Sequence, residues 1–531
     1  MEDIEKNRLT GAAAIVMSSM VVSRLTGFLR STLIPNLMSK MESDALFAAF
    51  KTTDLMYNLL VGGSIAAALI PVLSGYIVKN MEEEGWKAVG SFINTIFLIM
   101  VAISGLGILF APQVVSLTAP GYGMETTELT IRLTRILFPS VAFIMLAGLT
   151  NGVLNSYQRF AAAAYGPSIY NLGSVVSILA FHKSGVEKVA FGIMISSVVY
   201  FLFQLSFAFR NLEYYRFKIH FRHPGYKKII KLAIPSLAAS SIVQVNTIIS
   251  QSYTSNFKGG SVTALTNAND IWQLPYGIFA MGMGTALLPT LSEKVAVGDA
   301  ESFKKIFIKG IKSVLLLTIP SGIGFIVLRG PVISAIFKWS GNFGPDRILM
   351  TGNILMFYSL ALFSQSVLAI VNRAFYAYND TKTPLYSGIA SIITNAFFCY
   401  VFFYYTNLEA AGMALAYSIA GTVNALILLY ILNKKAEGIK LRELILYILK
   451  ILTASVIMGA ILYLICFFTP IDFARPFTIR GKIVELVYLL FEIAIGVLCY
   501  FSIVLFMGIE EAKYVFTLAI SKLYKIIVKA K

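Results

Sequence analysis

The chain has 531 residues, of which 57% are hydrophobic and only 13% charged, with a formal net charge of +17. Ordinary soluble domains carry about a quarter charged residues, so this composition excludes a soluble globular protein and points to an all-α integral membrane protein. The positive charge is gathered into a few loops between apolar runs, which argues against nucleic acid as a partner.

Many uncharged runs exceed the roughly 18 residues that suggest a bilayer-spanning helix. In chain order they predict 14 spans. Six cover 11–37, 44–78, 87–112, 128–156, 160–182 and 186–210. Six more cover 225–254, 261–294, 301–327, 347–378, 382–406 and 408–434, and two others cover 441–468 and 481–507. The N-terminus, Met1 to Arg8, is charged, and the first apolar stretch holds Arg24 and Arg30, a poor pattern for a cleavable signal peptide. Basic residues gather after spans six (Arg210, Arg216, Lys218, Arg222, Lys227, Lys228), eight (Lys294, Lys304, Lys305, Lys309) and twelve (Lys434, Lys435, Lys440, Arg442), whereas 113–127 has no Lys or Arg. By the positive-inside rule both termini are cytoplasmic. Arg475, Arg480 and Lys482, after span thirteen, are the exception. The tail 509–531 carries Lys522, Lys525 and Lys529 on one face. It reads as a basic amphipathic helix on anionic inner-leaflet lipids, or, for its last residues, as a frayed solvated end.

Ala68-Leu69-Ile70-Pro71-Val72-Leu73-Ser74 returns as Ala286-Leu287-Leu288-Pro289-Thr290-Leu291-Ser292, which puts Pro71 and Pro289 218 residues apart. Pro167 and Pro384 are 217 apart. A repeat of this length predicts two homologous six-helix lobes, 1–215 and 216–437, followed by 438–508. Substrate sites in repeat transporters lie between such lobes, so a transporter is expected and not an enzyme. No HExxH, Walker A or GxGxxG context is present, and Cys399, Cys466 and Cys499 have no CxxC partner. No metal or cofactor is therefore expected. Uphill transport would draw on membrane potential, an ion gradient or a downstream sink. His220 and His223 fall in a basic loop, where a solvated face is the simplest reading.

Charges at bilayer depth are costly and usually face a bundle interior or wet cavity. Arg24 and Arg30 lie on span one, roughly 9 Å apart along its axis. Arg30 sits deep and suits bidentate phosphate binding; the alternative is a structural bond to a helix carbonyl. Span two holds Asp44, Lys51 and Asp54, where Asp44 serves either in gating or as a helix cap, and Lys51 and Asp54 are spaced to pair. Asn269 and Asp270 lie on span eight. The repeat sets Asp44 opposite Thr263 and Lys51 near Asp270, which predicts that the last two face one cavity and pair when the lobes close. Arg132 and Arg135 read as snorkelling anchors. Gly62, Gly63 and Pro71 in span two, with Pro275, Gly277, Gly282, Gly284 and Pro289 in span eight, mark helices that bend or pack closely.

Several segments together are similar to the MurJ (MviN) lipid II flippases. They are Ser23-Arg24-Leu25-Thr26-Gly27-Phe28-Leu29-Arg30, Ser43 to Lys51, Gly62 to Leu73, Ala119-Pro120-Gly121, Leu154 to Ala161 (with Arg159) and Gln273-Leu274-Pro275. Arg373-Ala374-Phe375-Tyr376-Ala377-Tyr378-Asn379-Asp380-Thr381-Lys382-Thr383-Pro384 is the most specific. The resemblance places the chain in the multidrug/oligosaccharidyl-lipid/polysaccharide exporter superfamily. It implies two lobes around a cationic central cavity and a groove for a polyprenyl tail on the last two helices. It implies, too, that an undecaprenyl-diphosphate-linked peptidoglycan precursor crosses from inner to outer leaflet by alternating access. Arg24, Arg30 and Asp44 fall on family positions, and Lys51 is a candidate replacement cation. Two further family arginines fall here on Tyr57 and Asp270, the second a reversal of sign. Family sodium carboxylates fall on stretches offering only Asn246, Ser250 and Asn395. Alternatives are export of another polyprenyl-linked glycan, export of an amphipathic cation through Asp54 and Asp270, and a non-transporting scaffold for cell wall synthesis proteins.

Overall fold

The computed structural model describes residues 19, 22–60, 64–439, 441–468 and 472–513, with side chains at 54–60, 64–67, 160 and 235–243 left aside. Gly62, Gly63, the first residues and the tail beyond 513 lie outside the described residues, as do the side chains of Asp54 and Tyr57. Every regular element among the described residues is helical. Two compact units divide the chain at Thr263 and Ala264.

The first unit holds α1 (22–37), α2 (Lys40–Leu60), α3 (Ser64–Val78), α4 (Glu82–Leu109), α5 (Ala111–Thr118), α6 (Met124–Ser156), α7 (Phe160–Phe181), α8 (Val186–Ala208) and α9 (Pro224–Thr254). Its starts are chemically marked. The Ser39 hydroxyl accepts from Glu42 N–H at 3.2 Å and the Glu42 carboxylate accepts from Ser39 N–H at 3.0 Å, a reciprocal box that opens α2. His223 accepts from Gly225 N–H at 3.1 Å to open α9, with Pro224 as its first residue. Two apolar cores share α6. One joins α3, α4 and α9 through Leu69, Leu73, Phe92, Phe138 and Ile229; the other joins α1, α2, α7 and α8 through Ile34, Leu46, Leu133, Ile178 and Ile193.

The boundary falls in the first turn of α10 (Ser261–Pro275), and the second unit holds the rest of α10, a π-helical turn (Tyr276–Met281), α11 (Gly282–Ala296), α12 (Ala300–Val327), α13 (Arg329–Phe337), α14 (Pro345–Ala377), α15 (Lys382–Tyr405), α16 (Ala410–Lys435), α17 (Leu441–Phe468) and α18 (Ile479–Phe506). The most apolar stretch of α14 is 72% buried against 50% for α6, so these are the central helices of their units. The remaining spans keep one apolar face outward, as lipid-facing helices must.

Ten helices among the described residues are long and apolar enough to cross a membrane. The other four predicted spans correspond to α1, to α2 with α3, to α7 and to α9. Most observed ends lie within a few residues of the expected ones.

The repeat is present in element lengths. Helices α4 and α12 each have 28 residues, and α6 and α14 each have 33. Both 33-residue helices end at a left-handed residue two positions on, Gln158 (φ 57°) and Asn379 (φ 55°). Pro71 and Pro289 lie within α3 and α11. The compact-unit boundary differs from the lobe boundary drawn at 215/216, because α9 packs on α3 and α4.

Candidate functional site

Arg30, on α1, is half-buried, and its guanidinium carbon lies 5.0 Å from the Phe50 ring centroid and 5.9 Å from that of Tyr170. Its Nε is buried without a hydrogen-bond partner. Within the first unit, no described carboxylate pairs with Arg30, Arg24 or Lys51. Helices α2 and α7 thus supply two ring faces to the cation and, among the described residues of this unit, no counter-charge. That leaves its fork of N–H donors for an anion and excludes the carbonyl-bonded alternative among the described residues. Arg24 is exposed six residues earlier, and Lys51 is half-buried on α2. Asn171 donates to Ser23 O at 3.2 Å, and a side-chain carbon on Gly27 would sit 3.2 Å from the Asn171 amide, so α1 and α7 lie close here.

Asp44 does not cap its own helix. It is 3% exposed, four residues inside α2, and accepts from Gly260 N–H at 2.6 Å, Thr263 N–H at 2.9 Å and Thr263 Oγ1–H at 2.6 Å, all within the first unit. These donors open α10, so the carboxylate meets a helix N-terminus 216 residues on. The repeat had set Asp44 opposite Thr263, and the two touch.

In the second unit, Arg373 is half-buried on α14, 5.9 Å from the Tyr376 ring, with its Nε 3.7 Å from where a Gly284 side-chain carbon would stand. Asn269 accepts from Trp272 Nε1–H at 3.1 Å, and the Trp272 ring meets Tyr276, Tyr358 and Tyr417 at 5.6–6.1 Å. Asp270 is half-buried beside it. Pro275 ends α10, and the backbone then adopts the π turn up to Gly282, where a bend was expected.

Beside that turn lies an apolar cavity of about 500 Å³. Its walls include Ile278, Phe279, Pro320, Leu462, Val497 and Tyr500, from the π turn, α12, α17 and α18.

Other residues singled out in the sequence are structural. Asp380 accepts from Thr383 N–H at 3.0 Å and Thr383 Oγ1–H at 2.9 Å and pairs with Lys435 at 2.7 Å. Burial works to raise its carboxyl and is outweighed by Lys435 and Thr383, which hold it at about 2. It therefore caps the start of α15, two residues before Pro384 enters the first turn. Arg159 donates to Phe207 O at 2.9 Å. Arg132 pairs with Glu187 at 3.2 Å, and Arg135 donates to Ile108 O at 3.3 Å. His223 is no solvated face: besides opening α9 it lies 3.1 Å from Glu84.

A description "Lipid II flippase MurJ" belongs to the family model that matches residues 36–480. The chain belongs to the MurJ family. The MurJ lipid II flippase of Burkholderia cenocepacia is 28% identical over 430 residues, 78% of this chain and 82% of that one. A solved lipid II flippase MurJ in an inward closed conformation superposes with a TM-score of 0.76 at 26% identity, covering 92% of this chain and 98% of that one. A multidrug resistance MATE transporter of the MOP superfamily shares the fold, with a TM-score of 0.69 at 18% identity over 81% of this chain and 99% of its own. MurJ membership and the ten long apolar helices make this a multi-pass membrane protein.

The MurJ match stops at Arg480, in the first turn of α18, and that helix holds Glu485 and Glu492, which sequence reasoning missed, beside Lys482, which it read only as a loop cation. Lys482 and Glu492 on α18 are 3% and 1% exposed, and Glu485 pairs with Lys482 at 3.3 Å. Cys466 lies 3.5 Å from Glu492. Their spacing, three and then seven residues, sets all three on one helical face and was the available signal.

Proposed function

We propose that this protein flips lipid II, an undecaprenyl-diphosphate-linked peptidoglycan precursor, from the inner to the outer leaflet of the bacterial cytoplasmic membrane by alternating access, for cell wall synthesis. The observation that carries this reading is Arg30, a guanidinium against the rings of Phe50 and Tyr170 with no ion-pair partner among the described residues of its unit, in a MurJ family member. A guanidinium fork matches the oxygens of a diphosphate, and low dielectric strengthens the attraction. Arg24 and Lys51 add positive potential along the path. Asp54, Tyr57, Asn269 and Asp270 tune the polarity of the cavity, and Asp44 couples gating to the start of α10. Bending at Gly62, Gly63, Pro71, Pro275, Gly282 and Pro289 supplies the motion. The apolar cavity of α12, α17 and α18 supports a polyprenyl tail site within 438–508. Both termini are cytoplasmic, the tail 509–531 meets anionic lipids, and membrane potential or an ion gradient supplies the drive. The chain is a transporter, working beside cell wall synthesis proteins. Tyr57 and Asp270, standing where the family resemblance implies arginines, favour a second substrate of the same class, another polyprenyl-diphosphate glycan.

The test is complementation. The chain and its Arg30→Ala variant are expressed in a bacterium depleted of its own lipid II flippase, with membrane levels checked by blot. Rescue by the native chain and loss of rescue in the variant are expected. Failure of the native chain at normal membrane levels refutes lipid II as substrate.

A further inference from the structure

The basic cluster that broke the charge alternation lines a cavity. It has a volume of about 610 Å³, within the roughly 300–1,000 Å³ of small-ligand sites, and lies where the loop between α17 and α18 meets the end of α13. Its charged walls are Lys338, Arg475, Arg480 and Lys482, opposed by only Asp472 and Glu485, so positive charge is in excess.

The site is built, not a loose surface patch. Lys482 is 3% exposed; its Nζ donates to Ser334 O, pairs with Glu485 at 3.3 Å and stands 5.1 Å from the Trp339 ring. Lys338 donates to Phe473 O and Arg475 O at 2.9 Å each, which fastens the loop to α13. Ser334, 1% exposed and lining the cavity, has a hydroxyl with no hydrogen-bond partner. The buried Glu485 Oε1 is likewise unmatched. Arg475 is held only loosely, 3.6 Å from Asp472, and Arg480 is exposed with no ion-pair partner among the described residues of this unit. Two exposed guanidinium groups and an unpaired buried hydroxyl outweigh the single unmatched carboxylate oxygen of Glu485 and suit an oxyanion.

A second cavity, the apolar one, follows along the same helices. Going down α18, Glu485 and Tyr488 line the basic cavity, and Ile493, Gly496 and Val497 line the apolar groove. Only five residues, roughly 7.5 Å of helix, separate Tyr488 from Ile493. Helix α13 contributes Ser334 to one and Val332 to the other, and α17 contributes Phe468 and Leu462. One set of helices thus presents a cationic chamber and then an apolar channel, the pattern of a phosphate-headed lipid.

We propose that this cavity is a second lipid-phosphate site, at the outer-leaflet end of the groove, taking the phosphate-bearing head of a lipid whose chain lies along α17 and α18. Its outer placement rests on the topology given under the proposed function. There it receives the head after crossing, so the cations past span thirteen are a binding device and not a topological signal.

The test uses the full-length purified protein in an Arg30→Ala background, which removes the first diphosphate site. Binding of undecaprenyl diphosphate and of phosphatidylglycerol is followed by native mass spectrometry, with and without Arg475→Ala/Arg480→Ala. Both arginines are exposed, so folding is preserved; Lys482→Met serves as the buried second variant. Loss of undecaprenyl diphosphate affinity by about tenfold, with phosphatidylglycerol unchanged, is expected and assigns the site to the carrier lipid. A loss confined to phosphatidylglycerol keeps the lipid-phosphate site and assigns it to bulk headgroups. Equal affinities with and without the mutations, for both lipids, overturn the proposal. Arg30→Ala alone reports separately: if it leaves undecaprenyl diphosphate binding intact while the arginine pair abolishes it, the Arg30 reading falls and this one stands.

Discussion

Arg30 and Asp44 are both charges on helices of the first unit, yet their surroundings divide them sharply. Arg30 has two rings and no counter-charge, whereas Asp44 is saturated by two backbone N–H groups and a hydroxyl at the head of α10. Hydrogen bonds to a charged group contribute about 1.5–3 kcal/mol each and a lost cap costs about 0.5–2 kcal/mol. Asp44→Ala should therefore destabilise the protein by about 2–3 kcal/mol and Asp44→Asn by less, read as lower thermal midpoints in detergent. Native stability with lost transport would instead make Asp44 purely a gating residue. Arg30 was legible in the sequence because arginines in an apolar run are conspicuous. The role of Asp44 was not, because its partners stand 216 residues away. Glu485, Glu492 and the burial of Lys482 were missed for a different reason. Window hydropathy averages them into a strongly apolar helix, and only their shared face, seen with the burial of Lys482 and Glu492, separates them from lipid-facing positions.

Helices were the most legible level, since a span of about 20 apolar residues has one available structure in a bilayer. The short helices α5 and α13 and the π turn were not, because each depends on how a long helix ends or meets its neighbour. The π turn gives Gly282 and Gly284 opposite roles. A side-chain carbon on Gly282 meets nothing within 4 Å, whereas one on Gly284 stands 3.3 Å from Ala369 O and 3.5 Å from Arg373 Cγ. Gly282→Ala should leave stability within about 1 kcal/mol of native, or raise it, since alanine is the better helix former. Gly284→Val should cost about 1–3 kcal/mol by forcing α11 away from α14 and displacing Arg373. Thermal unfolding separates the two. If Gly282→Ala keeps its stability and loses complementation, Gly282 is needed for motion; if Gly284→Val matches native stability, the close approach to α14 is not a real constraint.

At the scale of the whole chain, the repeat read from two heptapeptides reappears as matched helix lengths and matched left-handed residues. Homology, however, does not fix which helix packs where, and α9 joins the first compact unit although the repeat begins the second lobe with it. Orientation in the membrane rests on charge alone, and it can be measured. After replacing Cys399, Cys466 and Cys499, Gln113→Cys and Arg222→Cys each put one thiol on an exposed position of opposite predicted sides. A membrane-impermeant maleimide should label Gln113→Cys in intact spheroplasts and Arg222→Cys only after lysis. The reverse pattern would turn Arg475, Arg480 and Lys482 into ordinary cytoplasmic charges. The cavity they line would then meet the lipid before it crosses, at an entrance and not an exit. Labelling therefore fixes the direction in which one helix, α18, hands a phosphate head from one polar site along an apolar groove.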